Sequence, residues 1–144
     1  MVLLDYHEMK NEIIQRIELQ KYIVLATCYN QRVTARAIYY VNDGLDIYFL
    51  TSKAYLKYKQ IEKNPNVALC FDNMQMEGES VILGNPSTFC DEKVLGKIQN
   101  YNEMAHFLKY KNTVLIKVCI KQIEMWKENE RIYFEVASEL CYSR

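Results

Sequence analysis

The residues best suited to chemistry in this sequence are hydroxyl and ammonium groups about a third of the way along it. Thr51 and Ser52 directly precede a segment, 53–63, that is predicted to form a short helix carrying Lys53 and Lys57 four residues apart. A helix N-terminus carries about half a positive charge, so acids are usual there and lysines are unfavourable. A bound dianion reverses the sign, because free N–H groups, hydroxyls and ammonium groups all favour it. The pattern predicts a phosphate site, and a solvated lysine face is the alternative.

A second polar group is predicted to lie near the first. In the strand predicted at 32–41, alternation puts Thr34, Arg36 and Ile38 on one face, and Val33, Ala35, Ala37 and Tyr39 on the other. Asn42-Asp43-Gly44 then favours a tight hairpin turn into the next strand. Arg36 is therefore expected to project toward the end of the hairpin where Thr51 lies. Taken by itself, Arg36 could equally be a surface residue lying over Tyr40.

The elements that position these groups are mostly short antiparallel strands. The predicted elements, in order, are a helix at 5–20, strands at 22–29, 32–41 and 45–50, a helix at 53–63, strands at 66–71 and 80–84, a helix at 91–110, and strands at 113–126 and 131–136. Many short strands tend to close into a barrel, because closure removes exposed edges. No linker or change of composition divides residues 1–144. The fold class is therefore predicted to be α+β, a single domain built on an antiparallel barrel of six to seven strands with flanking helices.

The amino-acid composition indicates which kinds of partner the protein is not expected to bind. Lysine plus arginine equals aspartate plus glutamate, 18 of each, so no overall field attracts nucleic acid or an anionic membrane. No apolar run approaches the ~20 residues needed to span a bilayer. The N-terminal residues also lack the pattern of a signal peptide. These observations favour a cytoplasmic protein without nucleic-acid or membrane partners.

Cysteine and histidine usage argues against a metal site. The five cysteines are far apart, without a Cys-x-x-Cys pair, and Cys70, Cys90 and Cys119 lie in or beside apolar runs where a thiol acts as a small hydrophobe. His7 and His106 have no second ligand at metal-binding spacing. No metal is expected.

Residues 25–71 resemble the pyridoxamine 5'-phosphate oxidase-like, FMN-binding split-barrel family. The matching motifs are Leu25-Ala26-Thr27 on one strand, Arg36 on the next, Tyr48-Phe49-Leu50-Thr51 on the third, then Lys57 and Asn64-Pro65-Asn66-Val67. The strand at 81–84 and the acidic pair Asp91-Glu92 extend the resemblance, which is topological beyond residue 92.

The resemblance implies that FMN lies in a cleft between two subunits, each a six-stranded split barrel. It assigns the phosphate to Arg36, Thr51, Ser52 and Lys57, with Lys53 as an additional contact. The flavin ring would follow the backbone of 36–39 and 48–51, bordered by Ile38 and Tyr48. Trp126 could approach the flavin of the partner subunit, although core or dimer packing is the favoured reading of this sole tryptophan. The homodimer is also in keeping with five tyrosines expected around the site, at positions 39, 40, 48, 55 and 58.

The sequence departs from the family pattern at three places. Tyr55 stands where the family usually has a serine that would add a phosphate contact. Pro86 replaces a small residue, which suggests a bulge or an edge position in the strand. The chain ends in SELCYSR, without the arginine motifs that hold pyridoxamine phosphate. Oxidation of that substrate is therefore not favoured.

The function predicted is an FMN-binding oxidoreductase of this general type, acting on an unidentified small molecule. Catalytic residues are not identified, because the cofactor itself carries out hydride or electron transfer. The alternative is a flavin-, haem- or nucleotide-binding protein without turnover, serving in storage, sensing or stress. An empty barrel kept as a dimeric scaffold is a third possibility.

Overall fold

A computed structural model describes residues 1–144. Ten strands form one sheet in which every pairing is antiparallel, with four α-helices around it. The elements are β1 (Val2–Leu3), α1 (Tyr6–Leu19), β2 (Tyr22–Tyr29), β3 (Arg32–Tyr39), β4 (Val41–Asp43), β5 (Asp46–Ser52), α2 (Leu56–Lys63), β6 (Asn66–Phe71), β7 (Met74–Gly84), α3 (Glu92–Gln99), α4 (Asn102–Ala105), β8 (Thr113–Lys127), β9 (Glu130–Glu135) and β10 (Leu140–Ser143).

Six of the strands curve around the main core in the order β5, β8, β7, β6, β2 and β3. The ring stays open between its two ends, because β3 pairs only with β2, and residues 49–52 of β5 pair only with β8. β4 bridges the bottom of this opening by pairing with residues 46–48. The α+β class and the antiparallel split barrel predicted from the sequence are confirmed.

The interior holds a cluster of 26 buried residues, over which α1 packs with Ile13 and Ile17 fully buried. Asp5 caps α1 by accepting a hydrogen bond from the Glu8 backbone N–H at 3.0 Å. A second cluster of six residues lies under α3 and α4. β5 separates the two, since Phe49 belongs to the first and Tyr48 to the second. Burial of both faces explains why this strand is apolar almost throughout.

Two predicted helices were wrong in their extent. The helix predicted at 53–63 begins only at Leu56, after a turn. The helix predicted at 91–110 is divided into α3, α4 and a 3₁₀ turn at 106–109. Asn100 ends α3 and Tyr101 is extended, which stops the helix in spite of the continuing apolar spacing.

Several strand predictions also need correction. The loop expected before residue 80 is the first half of β7, where Met74 and Met76 are buried and their neighbours exposed. The strand expected at 32–41 is interrupted at Tyr40, and β1 and β10 were missed. Pro86 is not in the strand; it begins a 3₁₀ turn at 86–88.

The three cysteines in or beside apolar runs are not the buried ones. Cys70 and Cys90 are exposed and Cys119 is partly buried, whereas Cys141 is buried in the main core. Cys70 projects outward because its neighbours on β6, Leu69 and Phe71, are the residues that face inward.

None of the helices combines the length and the apolar character needed to cross a membrane.

Candidate cofactor site

A cleft of about 590 Å³ lies at the opening between β3 and β5. This volume falls within the range usual for small-molecule and cofactor sites. Segment 103–113, which leads into β8, forms the third wall. The lining residues are Ala37, Ile38, Tyr39, Leu50, Thr51, Ser52, Tyr55, Lys57, Glu103, Met104, Phe107, Tyr110, Lys111, Asn112 and Thr113.

The walls of the cleft are apolar and its edges are polar. Ile38, Leu50, Met104 and Phe107 provide aliphatic, thioether and aromatic surface. The facing edges of β3 and of residues 49–52 have no partner strand, so their N–H and C=O groups are free to pair with a ligand. A flat ligand with an apolar face and a polar rim matches such a space.

Thr51 supplies an unpaired hydroxyl at the base of the cleft. Its Oγ1 atom is the one buried side-chain oxygen or nitrogen in the structure without a hydrogen-bond partner. Leaving a buried hydroxyl unpaired costs about 1–3 kcal/mol, so each such group needs a reason. The neighbouring Ser52 is half-buried, and its Oγ accepts a bond from the Ala54 N–H at 3.2 Å.

Lys57 is a half-buried cation without an acidic partner. It is the second residue of α2, lines the cleft, and takes part in no salt bridge. Its Nζ lies 5.1 Å from the centre of the Tyr55 ring. Burial lowers the pKa of Lys57, and the nearby charge of Arg36 lowers it further. Both effects would be relieved by an anion.

Arg36 is the second unpaired cation, and neutral groups hold it. Its Nη1 donates to Thr27 Oγ1 at 2.8 Å and to the Leu25 carbonyl at 3.3 Å, and its Nη2 donates to Thr34 Oγ1 at 2.5 Å. A guanidinium has five N–H donors, so two remain uncommitted. Burial lowers the pKa of Arg36, which has no carboxylate in contact. Arg36 and Lys57 therefore lie within electrostatic reach of each other, and neither forms a salt bridge.

The structure brings together five of the eight residues singled out in the sequence. Ile38, Thr51, Ser52 and Lys57 line the cleft. Arg36 is not part of the lining, but it is close enough for its charge to lower the pKa of Lys57.

The other three residues lie elsewhere. Tyr48 is buried in the second core cluster, with its ring 6.0 Å from that of Phe89, and so does not border the cleft. Lys53 is exposed on the turn before α2, outside the cleft lining. Trp126 is 52% exposed near the far end of β8, so core packing, one half of the favoured reading, was wrong, and dimer packing stays a prediction.

Contrary to the prediction from the sequence, Thr51 and Ser52 do not directly precede the helix. Both residues end β5, and the N-cap of α2 is Tyr55, which makes no side-chain capping bond. The hydroxyls thus reach the site from a strand end, and Lys57 reaches it from the first turn of the helix.

Sequence reasoning missed the third wall of the cleft. Glu103, Met104, Phe107 and Tyr110 were assigned to one continuous helix, whose regular spacing gave no sign of a break. Glu103 is paired with Lys21 at 2.9 Å, and this partner lowers the pKa of its carboxyl group.

Comparison with known proteins supports the same family as the motifs. A sequence profile described as pyridoxamine 5'-phosphate oxidase matches residues 9–127. The match covers most of the chain, and the protein belongs to this family. No curated protein matches the sequence.

Three solved structures illustrate the range of similar folds. General stress protein 26 from Bacillus anthracis has a TM-score of 0.70 and 21% identity, covering 90% of this chain and 99% of that one. An FAD-binding protein from Mesorhizobium loti has a TM-score of 0.61 and 12% identity, covering 78% and 90%. HutZ, the heme storage protein from Vibrio cholerae, has a TM-score of 0.63 and 13% identity, covering 85% and 95%. At these identities the likeness concerns the fold.

Proposed function

We propose that the protein binds FMN in the cleft between β3 and β5 and acts as an FMN-dependent oxidoreductase on a small molecule. The observation that supports this most strongly is the group formed by Arg36, Lys57 and Thr51. Two half-buried cations without a counter-ion lie near a buried hydroxyl without a partner. Such an arrangement is unfavourable when empty and favourable around a phosphate.

The residues present fit a phosphate group well. Thr51 Oγ1 has a proton to donate, Lys57 contributes an ammonium, and Arg36 has two uncommitted N–H groups. Ser52 adds a hydroxyl on the same strand end. Lys53, exposed on the adjoining turn, adds positive potential at longer range.

The rest of the cleft suits the flavin ring system. The ring would lie against Ile38 and Leu50, and its polar rim would meet the free backbone edges of β3 and β5. Tyr55, in place of the family's serine, lines the cleft and contacts Lys57 through its ring. It therefore orients the ammonium instead of adding a direct phosphate contact.

A second copy of the chain is proposed to cover the outer face of the sheet. This face carries no charged side chain over β6, β2 and β3, and several of its residues are exposed. Its members are Ala68, Cys70, Tyr22, Val24, Ala26, Cys28, Val33, Ala35, Ala37 and Tyr39. Exposed apolar surface of this extent is typical of interaction sites. Trp126 is exposed on β8, and the family resemblance implies that it approaches the flavin of the partner subunit.

Bound FMN would supply hydride or single-electron transfer to a small substrate. The chain's own part is to bind, orient and exclude water. Glu103 stays ionised at neutral pH because Lys21 lowers the pKa of its carboxyl group, so it is unsuited to donating a proton. A proton needed by the substrate would come from solvent or from a tyrosine at the cleft, such as Tyr39 or Tyr110.

The test begins with the absorption spectrum of protein purified without added cofactor. Flavin absorption in the blue region is expected, and a haem spectrum or none would contradict the proposal. Reduction of the bound flavin by NADH or NADPH, followed by reoxidation by candidate substrates, then separates an enzyme from a non-catalytic binder. A flavin that no nucleotide reduces would favour the binder.

Lys57→Ala tests the phosphate site directly. Removing one charge-assisted contact, worth about 1.5–3 kcal/mol, should weaken FMN binding roughly 10- to 150-fold. Lys59→Ala is the matched control, because Lys59 lies on the same helix but is exposed and outside this cleft. Equal FMN affinity in the two variants, measured by flavin fluorescence quenching, would place the phosphate elsewhere.

A further inference from the structure

Gln60 is a buried polar residue behind the cleft, outside its lining. It lies on α2, one turn after Lys57, and only 3% of it is exposed. Its Oε1 accepts hydrogen bonds from Thr27 Oγ1 at 2.5 Å and from Thr34 Oγ1 at 2.7 Å. Its Nε2 donates to the Arg32 carbonyl at 3.0 Å. The amide thus ties α2 to both β2 and β3.

The two threonine hydroxyls that donate to Gln60 also accept from Arg36. Arg36 Nη1 donates to Thr27 and Nη2 donates to Thr34. Each hydroxyl accepts a hydrogen bond from Arg36 and donates one to Gln60. The guanidinium is therefore connected through Thr27 and Thr34 to a single amide oxygen. Every group in this chain of bonds other than Arg36 is neutral.

The neutrality of this cluster matters for the site. A buried arginine is normally held by a carboxylate, which cancels its charge. Here hydroxyls and an amide fix the position of the guanidinium while its full charge remains available beside Lys57. On the basis of the FMN site proposed above, we propose that Gln60 is a positioning residue that holds Arg36 in place without neutralising it, and so sets the preference of the cleft for a phosphate-bearing ligand.

Gln60→Glu tests this assignment with almost no change of shape. The new carboxylate can still accept from Thr27 and Thr34, but it cannot donate to the Arg32 carbonyl as the amide does, and the two nearby cations favour its ionised form. It should neutralise part of the positive charge and weaken FMN binding by about tenfold or more, the equivalent of one charge-assisted contact. Riboflavin, which has the same ring but no phosphate, should bind within about twofold of its affinity for the wild type.

The readout is the ratio of FMN to riboflavin affinity, measured by fluorescence quenching on the intact chain. A purely structural role of Gln60 would change both affinities together and leave the ratio unaltered. Gln15→Glu adds the same charge on an exposed position of α1 and should leave the ratio unchanged. A ratio equal to that of the wild type in Gln60→Glu would overturn the assignment.

A second variant keeps the test decisive if Gln60→Glu does not fold. Thr34→Val removes one of the two hydroxyls between Arg36 and Gln60, with little change of volume. Thr34 is half-buried and lies on the edge strand β3. The variant should lower FMN affinity several-fold, because Arg36 loses an acceptor and Gln60 loses a donor. Riboflavin affinity should stay unchanged, because neither residue lines the part of the cleft proposed for the ring. A parallel loss of both affinities in Thr34→Val would count against the inference. A wild-type protein that binds FMN no better than riboflavin would instead contradict the proposed function.

Discussion

At the scale of single residues, the site is marked by groups that the chain leaves unpaired. Thr51 is in a buried position that a hydrophobic residue could fill, yet it carries a hydroxyl that bonds to nothing in the protein. Arg36 and Lys57 are partly desolvated and repel each other. Local stability is lower than it could be at each of these positions, which is common where a protein is organised around a ligand.

Thr51→Val should therefore change stability and binding in opposite directions. Replacing the unpaired hydroxyl by a methyl group is expected to raise the free energy of unfolding of the ligand-free protein by about 1 kcal/mol. The same change should weaken FMN binding by roughly five- to tenfold, because the phosphate loses a donor. Urea unfolding and fluorescence titration measure the two effects. A variant that loses stability and keeps its FMN affinity would show that the hydroxyl has a structural role only.

The depressed pKa of Lys57 makes the stability of the ligand-free protein depend on pH. Because burial and Arg36 lower the pKa of Lys57 in the folded state, the unfolded chain binds more protons between that value and 10.5. Stability therefore rises with pH across this window, as the penalty for a buried charge disappears. Compared with Lys57→Met, the wild type should gain stability between neutral pH and about pH 10. The gain should vanish with saturating FMN, because the phosphate restores the pKa of Lys57.

At the scale of elements, the long strands β7 and β8 are paired from Met74 to Gly84, and Gly78 lies where β7 runs close against β8. The register between them shifts at Glu77 and Gly78. A Cβ atom on Gly78 would lie 2.7 Å from Val118 Cγ1 and 2.9 Å from the Cys119 carbonyl oxygen. The backbone oxygen cannot move without breaking the pairing of the strands. A larger residue at position 78 is thus excluded because its side chain would clash with β8. The φ and ψ angles of Gly78 would not exclude it.

Gly78→Ala should accordingly destabilise the protein by about 1–3 kcal/mol through overpacking. Gly96→Ala is the matched control: it lies inside α3, and its added Cβ meets nothing within 4 Å. The control should stabilise the protein by about 0.5–1 kcal/mol, because alanine favours a helix over glycine. Thermal unfolding of both variants gives the comparison. Similar shifts of the same sign would mean that β7 can move away from β8 at no cost.

Helices and strands could be predicted from the sequence where local apolar spacing determines them. They could not be predicted where contacts between distant residues determine them. The helix at 5–20 and the strands at 22–29, 66–71 and 113–126 follow from apolar spacing, and the structure has them within about two residues. The first half of β7 was mistaken for a loop, because its two methionines alternate with glutamine and glutamate and the stretch as a whole looks polar. At the break, the Tyr101 ring lies 5.9 Å from that of Tyr39 on β3, a contact between distant residues that local spacing does not reveal.

The sequence predicted most of the residues of the candidate site, but it did not predict how they are arranged. Unusual charge near Thr51 pointed to the cations and hydroxyls that the fold brings together. The resemblance placed Tyr48 at the cleft, but the two-sided burial of β5 turns it into the second core cluster. Gln60 gave no signal in the sequence, because a glutamine in a polar helix is usually exposed.

At the scale of the whole molecule, the open edge that forms the cleft and the apolar outer face lie on the same strand. β3 directs Arg36 and Ile38 inward and directs Val33, Ala35 and Ala37 to the exterior. Val33 is 70% exposed, although valine in a strand is usually covered. A second copy on this face would hold β3 in place, and β3 would in turn hold one wall of the cleft. Dimerisation and cofactor binding are therefore expected to be coupled.

Ala35→Glu places a charge in the middle of the outer face without disturbing the interior, since Ala35 is exposed in the protomer. If two copies pack there, the buried carboxylate has no partner, and the dimer should dissociate at micromolar concentration. FMN affinity should fall with it, because β3 loses its support. Leu19→Glu is the control, as Leu19 is an exposed apolar residue on α1 outside this face. Sedimentation velocity with and without FMN measures both effects. A dimeric Ala35→Glu variant with unchanged flavin binding would mean that the copies associate through another surface, and that the cleft is complete within one chain.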